Sequence, residues 1–353
     1  MTIIVGQQTA TATLQKAISS GRTHHAWIFR GPSGVGKYTL ATEFARCLID
    51  SNLTAGDLGS VEGGTFSHPD LHIVRKEDAA WSNNPQLARR KQTNIPVDLL
   101  RERMIGGRTS DDKNHDAPAF KTSTSGGNKV FIIDEAELLD EIAQNSLLKT
   151  LEEPPIGTII VLVTSRDDLL LPTIRSRSAL ANFSPLSNDD MYKWIRIASF
   201  DVAKNDIDWS VCFSGGSPGL VCLSLESNLP QLARDLDSFI SGIGSGNSYQ
   251  EASGMMIYFV DFFVKQMLNK NSLCSKEAAN RQAFSVILQL LGMRVRELVN
   301  GNRNSLLLGI RGAAILSDVE NQIRTNISVK VLLESLAARW VHLCRGDAML
   351  MPL

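Results

Sequence analysis

Residues 31–40 read GPSGVGKYTL and supply all but one element of the phosphate-binding pattern G-x-x-x-x-G-K-[ST]. In such a loop, consecutive backbone N–H groups and a helix N-terminus converge on an anion, while a lysine bridges the β- and γ-phosphates. Gly31, Gly34 and Gly36 permit the tight backbone path, and Lys37 supplies the charge. Hydrolysis needs more: a Ser or Thr after the lysine holds Mg²⁺ together with an acid at the end of a neighbouring strand. Asp134, closing KVFIID, is that acid, and Glu135 stands where many ATPases place the residue that polarises water. Tyr38 occupies the hydroxyl position, with its oxygen at the far end of a ring. Thr39 comes one position late, about 100° round the helix. It is expected to face elsewhere, yet it stays in the candidate nucleotide-binding set. Nucleotide binding is therefore expected and fast turnover is not. A third constellation is LPTIRSRS at 171–178, where Arg175 and Arg177 follow a helix-starting proline. Two arginines behind a nucleotide core suggest a guanidinium offered to a neighbouring subunit's γ-phosphate, a device worth about 10³–10⁵ in rate. The plain alternative is a pair of solvated surface arginines.

These residues need a scaffold, and its signals are clear. AWIF (26–29) is a short apolar run, the Gly-rich loop follows, and then TLATEFARCLI repeats apolar residues at helical spacing. DLHIV (70–74), KVFIID (129–134) and TIIVLVT (158–164) read as further strands, and continuous apolar runs of this kind suit a parallel sheet covered on both faces. A helix is expected between Asp140 and Leu151, stopped by Pro154-Pro155, and another from Val97 to Ile105. The expected fold is an α/β P-loop domain ending near residue 185. Residues 109–128 carry few large apolar side chains and many turn formers, which predicts a surface loop with freedom to move. The basic stretch around it (Arg89, Arg90, Lys91, Arg101, Arg103, Arg108) reads as a solvated face. Beyond residue 188 the pattern is helical, with a linker expected at 242–248.

Composition narrows the classes. The chain has 353 residues, so two or three units are expected; 43% hydrophobic and 21% charged residues are enough to build real cores. A net charge of −1 gives no global attraction to nucleic acid, so any DNA contact needs a local surface or a partner. The five cysteines (Cys47, Cys212, Cys222, Cys274, Cys344) form no C-x-x-C pair, which argues for reduced thiols in a cytoplasmic protein. Neither a signal peptide nor a membrane span is expected. His68, His72 and His115 have no metal-ligand spacing, and no nucleophile elbow, H-E-x-x-H or G-x-G-x-x-G is found.

HHAWIFRGPSGVGK (24–37), SHPDLHIV (67–74), NSLLKTLEEPP (145–155) and LPTIRSRS (171–178) together resemble the delta-prime family of bacterial DNA polymerase III clamp-loader subunits, AAA+ proteins. The resemblance covers most of the first 185 residues. It implies an AAA+ domain (1–186), a small helical lid (187–245) and a helical collar (246–353) that joins a hetero-pentamer with gamma/tau and delta subunits. That assembly, part of a nucleotidyltransferase holoenzyme, opens the beta sliding clamp and places it on primed DNA during replication. The delta-prime subunit acts there as a stator with weak or no ATPase of its own. By motif position, Arg177 matches the family's trans-acting arginine and Thr164 its sensor-1 residue. Ser178 replaces the family's cysteine. The zinc module has lost its cysteines in LIDSNLTAGDLGSVEGGTFSHPDL, so no zinc is expected, and Mg²⁺ only where ATP is bound. Gly219 stands where the ATPase relatives carry a sensor-2 arginine. The rival reading is an ATP-hydrolysing gamma/tau-type motor, supported by Lys37, Asp134 and Glu135.

Overall fold

A computed structural model describes residues 4–59, 66–89, 93–242, 249–270, 275–301, 303–323 and 327–345. Of the sequence features singled out above, Arg90, Lys91, Cys274 and most of the linker (243–248) lie outside the described residues. The chain divides into two compact units: Met1–Ala203 with Ser214–Cys222, and Lys204–Phe213 with Leu223–Leu353.

The first unit is built on a five-stranded sheet. Its strands are β1 (Ala26–Arg30), β2 (Leu71–Val74), β5 (Lys129–Ile133), β6 (Thr158–Thr164) and β7 (Ala179–Asn182), in spatial order β2-β5-β6-β1-β7. Every pairing is parallel. The apolar runs lie where the sequence places them: every residue of β5 and of β6 is buried. Burial on both faces is what a parallel sheet covered by helices requires. The helices of this part are α1 (Gln8–Ser19), α2 (Lys37–Ile49), α3 (Pro85–Ala88), α4 (Val97–Leu100), α5 (Glu141–Glu152), α6 (Pro172–Ser176) and α7 (Asn188–Ala198). The Asp140 carboxylate caps α5 by accepting from Ala143 N at 2.8 Å. The helix expected over Val97–Ile105 is α-helical only to Leu100 and widens to a π-turn over Arg101–Ile105.

The segment 109–128 lies mostly at the surface, as expected, and carries short elements of its own. A two-residue hairpin pairs β3 (Gly107–Arg108) with β4 (Asn114–His115), and a 3₁₀ turn follows at Pro118–Phe120. Buried polar groups beneath the segment hold it. Lys129 Nζ donates to the carbonyls of Pro118 (2.9 Å), Lys121 (2.8 Å) and Thr122 (3.3 Å). The Asp70 carboxylate, 0% exposed, accepts from Thr124 N, Ser125 N and Ser125 Oγ. Composition predicts mobility here because the anchoring groups lie outside the segment. The neighbouring basic residues are locally engaged: Arg101 with Asp98, Arg108 with Asp112, and Arg103 with the carbonyl of Trp81.

Helices α8 (Lys204–Ser214) and α9 (Pro218–Glu226) each give residues to both units. The second unit continues with α10 (Leu229–Gly242), α11 (Tyr249–Lys270), α12 (Lys276–Val299), α13 (Arg303–Gln322) and α14 (Val329–Arg345). Its core is one cluster in which Trp340, Phe263, Phe284 and Leu336 are essentially inaccessible. No described helix is long and apolar enough to cross a membrane.

Candidate functional site

The ends of the parallel strands place the site, as expected for an open α/β sheet. The loop after β1 leads into α2, the residues after β5 begin with Asp134 and Glu135, and β6 ends on Thr164. They surround a cavity of about 440 Å³ whose polar wall includes Gly34, Gly36, Lys37, Thr39, Asp134, Glu135 and Thr164. Ile4, Val5, Val163, Leu186 and Trp194 line it with apolar surface. The size and mixed lining suit a nucleotide-sized ligand. Thr39, expected to face elsewhere, is on the cavity wall, as is Tyr38. Gly31 is part of the loop but not of this lining.

Gly36, at φ 98°, makes the left-handed turn that opens α2, and the first amides of that helix have no intrahelical acceptor. The loop is held from every side. Lys37 Nζ donates to Gly31 O (2.7 Å) and Pro32 O (2.5 Å). Ser217 Oγ donates to Ser33 O at 2.9 Å, Gly219 N to Gly34 O at 2.9 Å, and Gln7 Nε2 to Val35 O at 3.1 Å. Gly34 and Gly219 meet backbone to backbone; a Cβ on Gly219 would lie 2.8 Å from Gly34 Cα. Position 219 thus has no room for a side chain while this contact holds. Burial lowers the Lys37 ammonium to about 8 against the opposing pull of Glu137 and Asp134.

The two acids are already engaged. Arg75, directly after β2, lays its guanidinium over the Tyr38 ring, 4.2 Å from the centroid, with Nε 3.4 Å from Asp134 Oδ2. Lys76 Nζ sits 2.5 Å from Glu135 Oε2. Burial pushes the Asp134 carboxyl above its usual range, and the Arg75 charge pulls it back. Glu135 holds a left-handed backbone (φ 52°), a conformation that non-glycine residues adopt at a cost. These residues do not fit a Mg²⁺ ion. The hydroxyl ligand is replaced by a ring, and the carboxylate that should share the ion faces a guanidinium. An ATP phosphate chain does fit the loop, through its amides and Lys37.

Thr164 is buried at the end of β6, its Oγ1 accepting from Arg166 N at 3.0 Å. Arg177 lies away from the cavity lining, at the C-terminal end of α6. Its guanidinium pairs with Glu152 Oε1 at 3.1 Å and donates to Thr173 O at 3.2 Å, with 39% of the side chain exposed. Arg175 is exposed on the same short helix. Sequence reasoning missed Arg75, Lys76, Gln7, Ser217 and Glu137. The basic pair following HIV at a strand end was the available signal. Its meaning depends on β2 lying beside β5, which strand order alone reveals. Glu137 accepts from Ser165 N (3.1 Å) and Ser165 Oγ (2.5 Å), and its other oxygen is buried without a donor among the described residues.

The family profile described as DNA polymerase III, delta subunit, matches residues 6–187. A DNA polymerase III subunit delta' from Pseudomonas aeruginosa is 30% identical over 200 residues, covering 55% of this chain and 53% of that protein. A subunit gamma/tau from Mycobacterium tuberculosis is 34% identical over 176 residues, covering 50% of this chain and 27% of that protein. A subunit tau from Bacillus subtilis is 33% identical over 189 residues, 52% of this chain and 29% of that one. The chain therefore spans about half or less of the curated relatives it matches. Among solved structures, a gamma subunit-related protein from Thermotoga maritima aligns over 95% of this chain and 100% of its own, at 16% identity and a TM-score of 0.41. A phosphate loop on this strand order, with a profile match over half the chain, places the protein in the DNA polymerase III delta-subunit family of clamp-loader proteins.

Proposed function

We infer that the chain acts as a delta-prime-type subunit, a stator that helps load the beta sliding clamp onto primed DNA and lends Arg177 to a neighbour's ATP. One observation carries this reading: Asp134 and Glu135 are each paired with a cation from the end of β2. The acids that would hold metal and polarise water in a motor are neutralised beside a tyrosine ring. Arg177, by contrast, is half-exposed and held by a surface ion pair to Glu152 and one hydrogen bond to the Thr173 carbonyl, contacts that cost little to release. A guanidinium so placed can meet a γ-phosphate on an adjacent subunit and stabilise its transition-state charge. The loop then holds nucleotide without hydrolysing it, and the chain comprises an AAA+ domain (1–186), a lid (187–245) and a collar (246–353) that joins gamma/tau and delta.

Steady-state ATP hydrolysis by the isolated full chain tests this. Background-level turnover is expected, together with co-purification with gamma/tau and delta subunits. Turnover at the level of a clamp-loader motor would favour the gamma/tau-type reading, to which Lys37 and the gamma/tau relatives lend support.

A further inference from the structure

We propose that the phosphate loop binds the polyphosphate of a nucleoside di- or triphosphate without a divalent cation, Arg75 taking over the neutralising role of the metal. The inference rests on the binding-only reading of the loop and is independent of Arg177. In a metal-using site the acid after the strand would repel phosphate unless a cation lay between them. Here that acid has a cation beside it: Arg75 Nε lies 3.4 Å from Asp134 Oδ2, and the guanidinium stacks over Tyr38 at 4.2 Å. A cation stacked on an aromatic face is held as well as charged. Lys76 Nζ forms an ion pair with Glu135 at 2.5 Å. With both pairs closed, the opening amides of α2 are left to meet the phosphates, joined by Lys37 once it turns from the Gly31 and Pro32 carbonyls; among the described residues of the cavity wall, Glu137 has no cation within ion-pair distance.

Tyr38 follows from the same logic. A serine or threonine at this position would offer a metal ligand, whereas the ring offers a platform for the guanidinium. The tyrosine that removes the metal ligand thus positions the metal's replacement. A divalent ion entering the site would find Asp134 and Glu135 already paired with cations and a ring instead of a hydroxyl at position 38. The binding of nucleotide should therefore be indifferent to Mg²⁺, unlike that of a P-loop motor.

The test is equilibrium binding of fluorescent ADP and ATP analogues to the full chain, in EDTA and in Mg²⁺. Wild-type dissociation constants are expected to differ by less than about fivefold between the two buffers. Arg75→Ala, which bares Asp134, should weaken binding in EDTA by about tenfold or more and make it respond to Mg²⁺; Arg75→Lys should retain part of the metal-free affinity. Lys37→Ala locates the nucleotide and should abolish binding in both buffers. The proposal is overturned if Mg²⁺ tightens wild-type binding by about fivefold or more, or if Arg75→Ala binds like wild type in EDTA. It is equally overturned if Lys37→Ala binds normally. Absence of wild-type binding in both buffers also sinks it, while leaving the Arg177 reading untouched.

Discussion

Replacing Gly219 by alanine should unlatch the phosphate loop. Gly219 N donates to Gly34 O at 2.9 Å, and Ser217 Oγ, two residues earlier, donates to Ser33 O at 2.9 Å. An added Cβ would stand 2.8 Å from Gly34 Cα and 3.2 Å from Gly34 O, both backbone atoms that no rotamer change can move. The segment has two ways out. If it stays, the overpacked contact costs about 1–3 kcal/mol. If it lifts off, two hydrogen bonds are lost at about 1 kcal/mol each. Either route costs about 2 kcal/mol, roughly a thirtyfold change in a local opening equilibrium. Hydrogen exchange followed by mass spectrometry on peptides covering 31–37 and 214–222 reads this directly. Both should exchange about thirtyfold faster in Gly219→Ala. Gly292→Ala in α12, where a Cβ meets nothing within 4 Å, serves as the control; there a stabilisation of up to about 1 kcal/mol is expected. Unchanged protection of both peptides in Gly219→Ala would refute the latch.

Three further outcomes follow from the same geometry. Asp70 is fully buried; burial disfavours its charge, but hydrogen bonds from Thr124 and Ser125 hold the carboxyl down to about 2 from 3.8. A depressed carboxyl stabilises the fold above the unfolded value and loses that contribution as pH falls through the folded one. Asp70→Asn should therefore cost about 2 kcal/mol at neutral pH. In urea denaturation series, its deficit against wild type should shrink between pH 4 and 2, and a deficit constant with pH would contradict the assignment. Lys129→Met removes the cation gathered by three carbonyls and should cost about 3 kcal/mol, with faster limited proteolysis within 109–128; an unaltered cleavage rate would show that the segment is held otherwise. Tyr38→Thr restores the loop's hydroxyl but leaves Arg75 beside Asp134, so ATP hydrolysis by the isolated chain should stay at background. A rise to motor-level turnover would mean that Tyr38 alone disables the site.

Much of this was legible in the sequence. Four of the five main strands are the apolar runs read as strands, AWIF, LHIV, KVFII and TIIVLVT, and continuous hydrophobicity marks the two that are buried throughout, KVFII and TIIVLVT; the edge strand ALAN alternates and carries no such run. The glycines and Lys37 identify the loop because their spacing carries its own mechanism. What stayed hidden depends on spatial neighbours distant in sequence. Arg75 and Lys76 matter because β2 pairs with β5, so residues some 59 positions apart share an ion pair. Gly219 matters because it touches Gly34, and no local pattern announces a contact across so much chain. The 109–128 segment reads as free because Lys129 and Asp70, which hold it, lie at strand termini outside it. Arg177 is the opposite case: it is plain from LPTIRSRS, and the structure places it at the C-terminal cap of α6.

The central claim is that this chain's catalytic contribution is Arg177 and not its own nucleotide site. Arg177 is 39% exposed and its Glu152 partner 50% exposed, so Arg177→Ala should change stability by no more than about 0.5 kcal/mol and leave assembly intact. The direct measurement is single-turnover ATP hydrolysis by the complex reconstituted with gamma/tau and delta subunits. The account predicts that a fraction of the bound ATP, the share held next to this subunit, persists in the Arg177→Ala complex. Hydrolysis of all bound ATP at the wild-type rate in that complex would contradict it.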